Sequence, residues 1–110
     1  MDGFNGLGMD LGKLSRLSRA QSRSICAENP TGGKGMGAMA EVGVGSYASR
    51  DLGRGWKVNP YVQVLAGELI TIAEEAGSGA IQHIWMTLTG KWRNLILRFY
   101  WDGSKTPSVE

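Results

Sequence analysis

The chain has 110 residues, 42% of them apolar, with 17 glycines, three prolines, one cysteine and a net charge of +2. That length holds one domain at most, and so many glycines with few prolines suit a loop-rich β architecture better than a helical bundle. The charge is too balanced for a dedicated nucleic-acid or anionic-membrane binder, although residues 1–60 carry eight Lys/Arg against five Asp/Glu.

Cys26 stands alone, which excludes an internal disulfide and a cysteine-based zinc cluster and points to a reducing compartment. Met1 to Gly6 have neither a basic nor an apolar leader segment, and no apolar run approaches bilayer length. A cytoplasmic location is the expectation, with no membrane partner.

Residues 1–9 read as an irregular, glycine-rich arm. Asp10 is placed to cap a short helix running to about Arg19, with Leu7, Leu11, Leu14 and Leu17 as its apolar stripe. Lys13, Arg16, Arg19 and Arg23 form a basic series on another side. It reads as a solvated face, because no base-reading motif follows, so no nucleic-acid partner is expected.

The stretch Arg23-Ser24-Ile25-Cys26-Ala27-Glu28-Asn29-Pro30-Thr31-Gly32-Gly33 packs a cation, a carboxylate, an amide and a rigid turn into a few residues. Pro30 fixes its own φ and pushes Asn29 out of the α region, so an extended arm enters a turn. Gly32 and Gly33 permit backbone angles closed to other residues. Two readings stay open: a capped surface turn whose side chains satisfy only their own backbone, or a polar loop suited to a ligand such as a sugar.

Residues 31–46 resemble a nucleotide loop only superficially. A phosphate loop ends in Gly-Lys-Ser/Thr, whereas Lys34 is followed by Gly35, and no Gly-x-Gly-x-x-Gly is completed. A flexible or ligand-covering loop is expected there, and no cofactor.

Beyond the polar segment Arg50–Pro60, the pattern becomes that of antiparallel strands across 61–110. Strands are predicted at Tyr61–Leu65, Glu68–Glu74, Ala80–Leu88 and Trp92–Trp101, with turns at Ala66-Gly67, Ala76–Gly79 and Thr89–Lys91. Asp102-Gly103-Ser104-Lys105 is a hairpin signal, with Ser108-Val109 starting the return. Ile81, His83, Trp85 and Thr87 share one face of their strand; Leu95, Leu97, Phe99 and Trp101 share an apolar face of the next. Four strands and part of a fifth fall short of the roughly seven of a closed sandwich. The fold class expected is therefore all-β, an incomplete sandwich with a short N-terminal helix.

Candidate chemistry is sparse. His83 is the only histidine and has no neighbour at metal-ligand spacing. Glu74 and Glu75, adjacent on a strand, point to opposite faces and form no carboxylate pair. Among the four tryptophans, Trp101 continues the apolar face, while the others could stack on sugar rings.

Several motifs together carry a family resemblance. They are Asn5-Gly6-Leu7-Gly8, Leu14-Ser15-Arg16-Leu17-Ser18, Arg23-Ser24-Ile25, Ala27 to Gly32, Gly53 to Val58, Gly79 to Met86, Arg98 to Asp102 and Pro107 to Glu110. In this order they resemble the N-terminal region of the domain of unknown function 2961, glycoside hydrolase family 172. That family includes α-D-fructofuranosidases, difructose anhydride-forming enzymes and arabinofuranan-degrading relatives. The resemblance implies a β jelly-roll, here its N-terminal portion, from chains that pair two jelly rolls and assemble as trimers or hexamers. It implies retaining furanoside hydrolysis by two glutamates lying downstream of the matched region, so no catalytic residue is assigned in this chain. It implies a carbohydrate partner, with Arg23, Glu28 and Asn29 as pocket-lining candidates and His83 and Trp85 as secondary ones. A non-catalytic carbohydrate-binding or interaction module is the alternative.

Overall fold

Val58, 2% exposed, is the one large side chain fully buried among the described residues, and the first half of the chain is built around it. The computed structural model describes residues 10–17 and 19–110. The expected arm at 1–9, Leu7 of the apolar stripe, the Asn5–Gly8 motif and Ser18 lie outside them. The backbone divides into two compact units, Met1–Ala80 and Ile81–Glu110.

In the first unit the expected helix from Asp10 to Arg19 is replaced by a single 3-10 turn, Leu11–Lys13. Asp10 makes no side-chain cap, and its carboxylate instead meets the Lys13 ammonium at 3.8 Å. Gly12 and Ser15 weaken helix propagation, and Leu11, Leu14 and Leu17 are all exposed, so no packing offsets the cost of nucleation.

Val58 is enclosed by two loops that approach it closely. The Gly45 N–H donates to the Val58 carbonyl at 2.7 Å. A Cβ at Gly43 would lie 1.9 Å from Asn59 Oδ1 and 2.9 Å from Val58 Cγ1, so only glycine lets residues 57–59 come this near. These contacts launch the short helix α1, Ser46–Ser49, which the sequence pattern did not announce. Ser46 donates both its N–H and its hydroxyl to the Gly43 carbonyl, at 3.1 and 2.7 Å. The buried Ser49 hydroxyl donates to the Ser46 carbonyl. After α1, Gly53 takes a left-handed φ of 72° and turns the chain away.

A second tie joins residues 38–41 to 54–55. The Gly55 N–H donates to the Ala38 carbonyl at 3.1 Å, and the Arg54 guanidinium pairs with Glu41 at 2.9 Å. Ala38 is held at φ 53° there, a conformation rare for a residue with a Cβ. The loop expected at 31–46 is thus a chain of turns pinned to the segment that follows α1.

The all-β architecture expected from sequence is not what the backbone shows. Among the described residues, β pairing amounts to two isolated antiparallel bridges, Cys26 with Asn29 and Phe99 with Val109. Residues 61–65, 68–74 and 80–88 form no ladder, and 92–94 is a 3-10 turn in place of the start of a strand. The physical reason is range. Alternation specifies which face is apolar but not which strand to pair with, and only pairings closed by a tight turn form here. The turns themselves stand where they were predicted. Glu68 donates its N–H to the Leu65 carbonyl at 3.0 Å across Ala66-Gly67, and the Glu68 carboxylate accepts the Leu65 N–H at 2.7 Å.

In the second unit the hairpin signal is realised. Asp102 and Gly103 both take positive φ, 53° and 72°, the pattern of a type I′ turn, closed by the Ser104 N–H on the Trp101 carbonyl. The return limb is offset. Ser104 to Pro107 loop out, with the Ser104 hydroxyl donating to the Thr106 carbonyl at 2.8 Å. Pro107 has no N–H to offer a ladder, so pairing resumes at Ser108 and Val109 against Phe99. Phe99 and Trp101 stack at 5.5 Å, as their shared face predicts, and Arg98 pairs with Glu110 at 2.7 Å.

Candidate functional site

The polar stretch around Pro30 folds into two consecutive tight turns. Cys26 and Asn29 exchange both backbone hydrogen bonds, at 3.1 and 2.9 Å, around Ala27-Glu28. The Gly32 N–H then donates to the Asn29 carbonyl at 3.2 Å, across Pro30-Thr31. Gly32 takes φ 63°, and a Cβ there would stand 3.0 Å from Ile25, so the arm at 23–25 folds directly onto this glycine. Pro30 and Gly32 therefore sit where rigid φ and left-handed φ are needed.

Glu28 reaches beyond its own turn. Its Oε1 accepts the backbone N–H of Asn59, which ties this loop to the segment carrying Val58. Asn29 acts locally: its Nδ2 donates to the Gly33 carbonyl at 2.9 Å. The other oxygen of each, Glu28 Oε2 and Asn29 Oδ1, is buried and accepts no hydrogen bond from the described residues. Buried acceptors without donors are uncommon and call for a specific explanation.

Arg23 stands apart in chemistry. Its guanidinium is exposed and donates to the Ser22 carbonyl at 2.8 Å and to the Gln21 side chain. The forked donation to ring hydroxyls expected of Arg23 is thus taken up by its own neighbours. His83 and Trp85 belong to the second unit, both exposed, Trp85 at 72%. The structure thus brings together Glu28 and Asn29 on one turn, with the stem of Arg23 beside Gly32. Asn59, which sequence reading did not single out, is the missed member. Its only signal was the Asn-Pro dipeptide at 59–60, a turn marker.

Among the described residues no cluster of three His, Cys, Asp or Glu side chains could hold a metal ion, and no helix is long and apolar enough to cross a membrane. Cys26 is exposed with a free thiol.

Comparison with curated proteins and with solved structures returns no match. A family model does match: the GH172 first beta-sandwich domain, over residues 40–110. That range includes α1, the Val58 segment, the Glu28 anchor at Asn59 and the whole hairpin unit, and on it the chain belongs to glycoside hydrolase family 172, as part of that family's first β-sandwich domain.

Proposed function

We propose that this chain is the N-terminal part of a furanoside-acting, retaining glycoside hydrolase, supplying sugar contacts but no catalytic acid or nucleophile. The observation that carries the reading is the family match over residues 40–110. The buried, donor-less oxygens of Glu28 and Asn29 support a polar ligand beside that segment. In this reading residues 61–110 are jelly-roll strands that pair once the remaining sandwich is supplied, by further chain or by other copies in a trimer or hexamer. Their apolar side chains, Leu69, Ile72, Ile81 and Ile96 among them, are exposed as such strands would leave them.

The test is a paired assay on the 110-residue chain. Fructofuranoside and arabinofuranoside substrates should show no turnover, while calorimetry should detect binding of a furanose oligosaccharide. Robust turnover overturns the non-catalytic assignment, and absence of any furanose binding overturns the sugar assignment.

A second reading, a carbohydrate-binding module acting by itself, is favoured by the exposure of Trp56, Trp85 and Trp92, whose rings are open to stacking. It requires a monodisperse monomer that binds furanose. The first reading requires self-association through unpaired strand edges, so light scattering separates the two.

A further inference from the structure

The turn at Cys26–Asn29 has an unusual hydrogen-bond balance. Glu28 has one oxygen engaged by the Asn59 N–H and one buried with no donor. Asn29 has its amide nitrogen engaged by the Gly33 carbonyl and its amide oxygen buried with no donor. Every side-chain donor these two residues possess is already in use. What remains is acceptor capacity only, on consecutive residues of one turn.

The cation that could have offset this is directed elsewhere. The Arg23 guanidinium is held by Ser22 and Gln21 on the exposed arm. A ligand here must therefore bring donors and must tolerate a carboxylate. An anion fails on both counts, through like-charge repulsion and through offering acceptors to acceptors. A hard divalent cation fits less well than a hydroxyl compound, because calcium takes about six to eight oxygen ligands and no acidic cluster surrounds Glu28.

From this we infer that Glu28 and Asn29 form an acceptor-only subsite that takes the hydroxyl groups of a neutral sugar and rejects phosphorylated or acidic ones. The inference rests on the sugar reading above and sharpens it. It names which partner of each hydrogen bond the ligand supplies, and it assigns charge selection to Glu28 rather than to Arg23.

The experiment follows the side-chain carboxyl carbon of Glu28 by nuclear magnetic resonance in the 110-residue chain. The probes are inulotriose, maltotriose, fructose 6-phosphate and calcium chloride, applied to wild type and to Glu28→Gln. The amide signal of Asn59 reports that the turn is intact, since glutamine retains an oxygen to accept its N–H. Expected are a shift with inulotriose, none with fructose 6-phosphate or calcium, and binding weakened roughly tenfold or more in Glu28→Gln, where an acceptor becomes a donor. A shift with maltotriose alone upholds the acceptor subsite and overturns the furanoside reading. Inulotriose binding that Glu28→Gln leaves unchanged overturns the subsite and leaves the furanoside reading standing. A shift with calcium alone, a shift with the phosphate, or no shift with any probe overturns the subsite.

Discussion

The Glu28 carboxylate accepts the backbone N–H of Asn59 across 31 positions of sequence. This contact makes the Pro30 loop part of the packed region around Val58 rather than a free surface turn. Glu28 thereby has two jobs: one oxygen holds the fold, and the other is left over for a ligand.

Removing that carboxylate separates the loop from its anchor. Glu28→Ala should cost about 1.5–3 kcal/mol locally, the range for a hydrogen bond to a charged acceptor. The measurement is hydrogen exchange at the Asn59 amide, which should speed up by roughly ten- to a hundredfold. Glu28→Gln should recover at least half of the loss. Unchanged exchange in the alanine variant would show that the carboxylate does not anchor this segment.

Glycines 37 and 43 should respond oppositely to the same substitution. Gly43→Ala forces a methyl group against Asn59 and Val58 and should destabilise the first unit by about 1–3 kcal/mol. Gly37 has open space around it and no left-handed φ, so Gly37→Ala should be neutral or stabilising by up to about 1 kcal/mol. Urea titrations followed by Trp56 fluorescence, with the other tryptophans changed to phenylalanine, would compare them.

The hairpin unit depends on positive φ at its turn. Gly103→Val puts a β-branched residue where φ is 72°, and should abolish the Phe99–Val109 pairing, because a two-stranded hairpin has little stability in reserve. Nuclear Overhauser contacts between residues 99 and 109 report this directly. Asp102→Gly, which keeps the geometry, should retain them.

The Arg98–Glu110 pair gives a pH expectation with a definite sign. The hydrogen bond from Arg98 to Glu110, and next the charge of Glu110, raise the arginine pKa above its ordinary value. A raised folded pKa means that the contribution is complete below the unfolded value and fades only as pH climbs through the folded one. That window lies above the ordinary arginine range. The 99/109 contacts should therefore be equal at about pH 6 and about pH 10 as far as Arg98 is concerned. Salt near 1 M, which shortens the screening length to about 3 Å, should weaken the pair instead.

Legibility followed the range of the interactions. The turns were readable because their determinants are adjacent: Ala66-Gly67, Pro30 with Gly32, and Asp102-Gly103 each carry the angle they need in their own covalent structure. The stack of Phe99 on Trp101 followed from alternation. The helix after Asp10 was overestimated, because the spacing of Leu11, Leu14 and Leu17 says nothing about whether anything covers them. Helix α1 was invisible, since its start is set by Gly43 and Gly45 closing on Val58 and Asn59, a contact between distant segments. The strands at 61–88 failed for the same reason, as pairing is a property of two segments and alternation of one. At the site, the residue types of Glu28 and Asn29 were readable from composition. Their division of labour between fold and free acceptors required coordinates.

The exposed thiol of Cys26 has a practical consequence. Its backbone N–H and carbonyl are both occupied by Asn29, so the sulfur is the part of the residue left to solvent. As the chain's sole cysteine, it offers one attachment point for a maleimide fluorophore, two positions from Glu28. A dye placed there would turn the occupancy of the loop into an optical signal.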